Sequence, residues 1–190
     1  MKRLSIVTAV LFAFAAPVAL GNGGSSKLRV TLSGYQEVPA SLSSGGAAQF
    51  TARVRGAPGA TDRRIEWELS YNAGFTSTVQ QAHIHFGQRH TNGGISIFLC
   101  TNLANGPVGT QLCPAGPVTI SGTATAAEVV GPNAQLIAAG EIEEIIAAIR
   151  AGVAYVNIHT VTFGGGEIRG QFDDSPDSHR HGHHDDDDDD

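Results

Sequence analysis

Ile65-Glu66-Trp67-Glu68-Leu69-Ser70 is the stretch that sets the fold class. Apolar and polar residues alternate through it, and a period of two puts Ile65, Trp67 and Leu69 on one face of a strand and the acids on the other. Glu66 and Glu68 read as the solvated side of that strand rather than as a catalytic carboxylate pair. Working outward, Leu28, Val30 and Leu32 alternate with Arg29 and Thr31 in the same way. Further runs of strand composition lie at 47–54, 79–86, 95–99, 118–125, 154–159 and 167–172. Between them sit turn residues, as in Gly56-Ala57-Pro58-Gly59, Thr91-Asn92-Gly93-Gly94 and Gly164-Gly165-Gly166. One segment leaves the pattern. Ile142, Ile145, Ile146 and Ile149 recur at helical spacing, with Glu141, Glu143 and Glu144 at the start and Arg150 and Gly152 at the end. Acids first and a base and glycine last predict a short amphipathic helix. Many short strands and one helix predict an all-β fold, an antiparallel Greek-key-like β-sandwich or barrel.

The two ends read differently from this body. Lys2 and Arg3, an apolar run over 4–16 and the small residues Ala19 and Gly21 predict a secretory signal peptide over 1–21, with 22–26 as a linker. The apolar run is shorter than the roughly 20 residues a bilayer span needs, and no second one follows. The mature chain is therefore expected to lack a transmembrane segment and to be secreted or periplasmic. The net charge of −6 is unevenly placed. Residues 22–172 hold nine basic and nine acidic side chains, whereas 173–190 hold nine Asp against Arg180. A neutral body lacks the basic footprint that nucleic acid binding requires.

Residues 173–190 contain no large apolar side chain and are expected to be disordered. Within them His179, His181, His183 and His184 precede six consecutive Asp, a composition suited to an auxiliary transition-metal site or simply to a solubilising tail. Cys100 and Cys113, in a chain expected to leave the cytosol, predict a disulfide.

Ala82-His83-Ile84-His85-Phe86-Gly87 is the segment richest in chemistry. On a strand His83 and His85 share one face while Ala82, Ile84 and Phe86 share the other. His159 lies near the end of Tyr155-Val156-Asn157-Ile158-His159-Thr160, on the same face as Tyr155 and Asn157. If the two strands converge, three imidazoles could hold one copper or zinc ion and leave a position open. Asn157 and Glu167 are candidates to orient the imidazoles from behind. The same pattern also suits a plain polar strand face. No nucleophile elbow of the G-x-S-x-G kind is present, so acyl-transfer chemistry finds no support.

Ser33-Gly34-Tyr35-Gln36-Glu37-Val38-Pro39, then AHIHFG at 82–87, YVNIHT at 155–160 and GGEIRGQF at 165–172 follow one another in an order that resembles the chordin-type (CHRD) domain. The resemblance covers 27–172. It implies an extracytoplasmic setting, shared by the animal morphogen antagonist chordin and by single-domain exported bacterial proteins, and leaves open a non-enzymatic interaction module of the envelope or matrix. The layout is also similar to copper/zinc superoxide dismutase, a Greek-key β-sandwich with an HxH strand and a later His. That similarity implies a dismutase-like enzyme as a further alternative. The chain departs from the dismutase pattern after the HxH, where His90 alone follows closely and no clear bridging His with further His and Asp zinc ligands is found. The expectation is an exported domain, non-enzymatic rather than catalytic, that binds copper or zinc for sequestration, delivery or redox chemistry.

Overall fold

The computed structural model describes residues 27–172. The expected signal peptide, linker and tail, and with them His179, His181, His183 and His184, lie outside the described residues. Eight strands form where the period of two placed them: β1 Lys27–Ser33, β2 Ala47–Arg55, β3 Arg64–Tyr71, β4 Val79–Phe86, β5 Gly94–Thr101, β6 Val118–Ala124, β7 Ala154–Thr160 and β8 Ile168–Gln171. The one α-helix, α1, spans Ile142–Arg150.

All strand pairs are antiparallel, in the order β5-β4-β7-β8-β1-β2-β3-β6. The two end strands would be exposed edges, a liability that proteins cover or close. Here they are brought together. Ile97 bridges to Val129, the Val130 N–H donates to the Ser96 carbonyl at 2.9 Å, and the Gln111 amide donates to Leu99 O on β5 and Ser121 O on β6. The result is a nearly closed barrel in which β4, β5 and β6 are neighbours in succession and β7 returns beside β4, a Greek-key arrangement. The predicted disulfide between Cys100 and Cys113 is formed and pins the segment carrying Gln111 to β5.

Inside the barrel lie the alternating apolar residues, among them Val30, Leu32, Phe50, Ile65, Leu69, Ile84, Ile158 and Ile168. Phe50 stacks on Trp67 and meets Phe172 edge-on, with ring centroids 6.3 and 5.7 Å apart. Each such side chain contributes roughly 1.5–3 kcal/mol by leaving water. On β3 Glu68 is exposed and Glu66 pairs with Arg55 and Arg64, as a solvated face requires. α1 buries Ile142, Ile145, Ile146 and Ile149. Its Glu143 accepts a hydrogen bond from the Gly59 N–H and pairs with the buried Arg63 at 3.1 Å, which ties the helix to the β2–β3 turn. Among the described residues no helix is long and apolar enough to cross a membrane.

The barrel differs from side to side. On β2 and β3 alternate residues reach solvent, but every residue of β7 and β8 is buried. One face of these strands looks into the core. The other lies under three loops, at 34–46, 87–93 and 161–167, and the side chains on that outer face are polar: His83, His85, Tyr155, Asn157, His159, Arg169 and Gln171.

Candidate metal centre

Antiparallel pairing sets His83 opposite Asn157, His85 opposite Tyr155 and Gln81 opposite His159. His159 is thus the diagonal neighbour of His83 on the shared outer face, within reach of a ring. On its other side β4 pairs with β5 through two register shifts, between Ala82 and His83 and between Ile84 and His85. The extra residues on β5 are Leu99 and Ser96. Bulges bend a strand and re-aim side chains, and these two flank the two histidines of the HxH.

The three imidazoles come together. Ring centroids are 5.0 Å apart for His83 and His159, 5.3 Å for His83 and His85, and 5.8 Å for His85 and His159. One ligand nitrogen from each lies within 4.8 Å of the other two. His83 Nδ1 and His159 Nε2 are 3.2 Å apart. Two nitrogens each about 2.0–2.1 Å from a tetrahedral zinc stand roughly 3.4 Å apart, so this pair already has nearly the spacing of two ligands on one ion.

Two backbone carbonyls hold the rings. His85 Nδ1 lies 3.1 Å from Gly93 O and His159 Nδ1 lies 3.0 Å from Gly164 O. A carbonyl can only accept, so both Nδ1 atoms carry the proton and both Nε2 atoms present lone pairs. His85 Nε2 is buried with no hydrogen-bond partner, and so is His83 Nε2. Such orphan atoms are rare in interiors and carry a desolvation cost.

Burial also keeps the rings neutral. The three histidines are 1–7 % exposed. Loss of solvent pushes His83 down to about 2, helped by the neighbouring His159 and His85. It pushes His85 down to about 4 against the opposing Gly93 carbonyl, with His159 and Arg169 adding to the depression. His159 is also held below its ordinary value by burial, against the Gly164 carbonyl. Neutral imidazole is the form that ligates a metal. Neither His83 nor His85 faces water, so the pair does not lie on an exposed strand face.

Asn157 and Glu167 direct their own hydrogen bonds elsewhere. Asn157 Nδ2 donates to Glu37 Oε1 and to Ile168 O. Glu167 accepts from Ser44, from the Thr76 amide and hydroxyl, and from the Thr160 hydroxyl. Burial alone would raise the Glu167 carboxyl, but these donors together hold it below its usual range. It joins the loops around the site and fixes Thr160, the residue after His159. Gly166 approaches the Asn157 amide and Glu37 so closely, at a φ of 131°, that a side chain there would meet both.

A family model for the CHRD domain matches residues 28–172. The chain belongs to the CHRD-domain family. No curated protein and no solved structure matches it. In this CHRD domain the matched span contains every strand from β2 to β8 and all three histidines.

Sequence reasoning underrated two residues of this CHRD domain. Tyr155 stacks on His85, with centroids 4.8 Å apart and planes 3° from parallel. Its hydroxyl accepts from the Gly93 N–H at 3.1 Å, so one residue supports both the His85 ring and the glycine that binds it. The Arg169 guanidinium covers the opposite face of Tyr155, 3.4 Å from the ring centroid. The parity of β7 and β8 signalled both. Gly93 carried no such signal, because its part depends on how the turn folds back.

Proposed function

We propose that this CHRD domain is an extracytoplasmic metal-binding protein that holds one copper or zinc ion on His83, His85 and His159. The observation that carries the reading is the convergence of three buried, neutral imidazoles, with His83 Nδ1 beside His159 Nε2 and His85 Nε2 left without a partner. Three protein ligands leave room for a fourth group, as in open zinc sites. The mixed nitrogen set also suits copper, which a site of imidazoles binds more tightly than zinc. Asn157 and Glu167 support the ligands indirectly, by fixing the strand ends and loops that carry the Gly164 carbonyl and His159. The disulfide agrees with an oxidising compartment, in line with export directed by residues 1–21. Residues 173–190, with His179, His181, His183 and His184, act as an auxiliary site that raises the local metal concentration.

Among the described residues the three histidines are the one group of three or more metal-ligating side chains. A two-metal dismutase centre has no second ligand set there, so holding or delivering a single ion is the favoured use. Copper titration tests it, comparing a chain ended at Phe172 with its His83→Ala/His85→Ala variant. The parent is expected to take up one equivalent tightly and the variant to lose it. Unchanged stoichiometry and affinity in the variant would overturn the assignment.

A further inference from the structure

Beyond the metal centre, a small cavity of about 80 Å³ opens beside β8, lined by Tyr35, Gln36, Arg89, His90, Arg169 and Gln171. A single water needs about 10–15 Å³ on this measure, so a tetrahedral oxyanion has room. The lining contains two guanidinium groups and a histidine but no carboxylate. Arg169 is only 2 % exposed. Its Nη1 donates to Thr91 O at 2.7 Å, and its Nη2 donates to Gln88 O and Gln171 Oε1 at 2.9 and 3.2 Å. These acceptors are all neutral.

Arg55, Arg63 and Arg64 form ion pairs with Asp62, Glu66 and Glu143, and none of these pairs reaches Arg169. Glu37 feels the Arg169 charge without forming an ion pair with it, and its carboxyl is engaged by Asn157. A buried cation whose direct contacts are all neutral is costly, with the Glu37 charge acting on it only from beyond ion-pair range, whereas Arg pairs strongly with oxyanions. Gln171 has both amide donors committed to backbone carbonyls and Gln36 has one, which leaves charge as the chief attraction in the cavity.

We infer that this cavity is an anion site that takes a phosphate-class oxyanion between Arg169 and Arg89. Tyr155 separates it from the metal ligands, with Arg169 on one face of the ring and His85 on the other. The two sites are therefore neighbours with separate sets of contacting residues, and the anion site stands whether or not the histidines bind metal.

Isothermal titration of the full chain with inorganic phosphate tests the inference. The protein is stripped of metal with chelator and held at pH 8, where ordinary imidazoles are neutral and do not attract phosphate. Saturable uptake of one equivalent is expected. Arg89→Ala removes an exposed side chain and should leave the fold intact while weakening phosphate about tenfold, equivalent to 1.4 kcal/mol. Arg169→Lys keeps the charge but loses the fork and should weaken it as well. Absence of saturable uptake, or an affinity unchanged by Arg89→Ala, would overturn the site.

Discussion

Tyr155 shows how much one side chain settles at the residue scale. Its ring packs flat on His85 and its hydroxyl engages Gly93, whose carbonyl faces His85 Nδ1. Groups behind a metal ligand typically change affinity by 10–100-fold when removed. Tyr155→Phe keeps the stack and drops the hydroxyl, so copper affinity in competition with a chromophoric chelator should fall about tenfold with little change in melting temperature. Glu37 offers a different test. Burial raises its carboxyl to about 7 despite the Asn157 amide, the Val38 backbone and Arg169, all of which lower it. The unfolded chain releases that proton near the ordinary carboxyl value of 4.5. Between those values the native state binds more protons, so stability falls as pH rises through the window. Glu37→Gln cannot ionise and keeps an oxygen for Asn157. It should therefore be more stable than the parent at pH 8 by up to about 3 kcal/mol, with the gap closing at pH 4, as read by urea denaturation.

At the scale of elements, the seam between β5 and β6 is held by Gln111, by the Ile97–Val129 bridge and by the disulfide behind them. Closing a loop of 13 residues is worth about 3 kcal/mol in the chain-entropy view. Cys100→Ser/Cys113→Ser should lose about that much, and hydrogen exchange should quicken first along β5 and β6. If protection were lost evenly over all strands, the seam would not be the local weak point. The strands, α1 and the disulfide were legible in the sequence because each depends on local periodicity or on a single pair of residues. Leu28, Val30 and Leu32 need only their own spacing to announce a strand. The bulges at Leu99 and Ser96 were not legible, since they arise from pairing between β4 and β5 rather than from either strand alone. The same holds for Gly93 and Gly164, whose carbonyls meet histidines at sequence separations of 8 and 5 residues.

At the scale of the whole molecule, metal should act as a folding ligand. An ion that binds only the native state at a hundred times its dissociation constant adds about 2.7 kcal/mol. Copper or zinc should therefore raise the melting temperature of the parent, chelator should reverse the rise, and the His83→Ala/His85→Ala chain truncated after Phe172 should show no shift. The covered outer face of β4, β7 and β8 has a consequence for how this chain tolerates variation. On all three strands the even positions, Ala82, Ile84, Val156, Ile158 and Ile168, pack the interior, and the odd positions, His83, His85, Tyr155, Asn157, His159 and Arg169, carry the polar layer. A saturation library scored separately for cellular abundance and for metal retention would then split by parity. Even codons would govern how much protein survives, and the histidine codons among the odd ones would govern what the surviving protein can hold. Selection could therefore retune the chemistry of this barrel one odd codon at a time without renegotiating its interior.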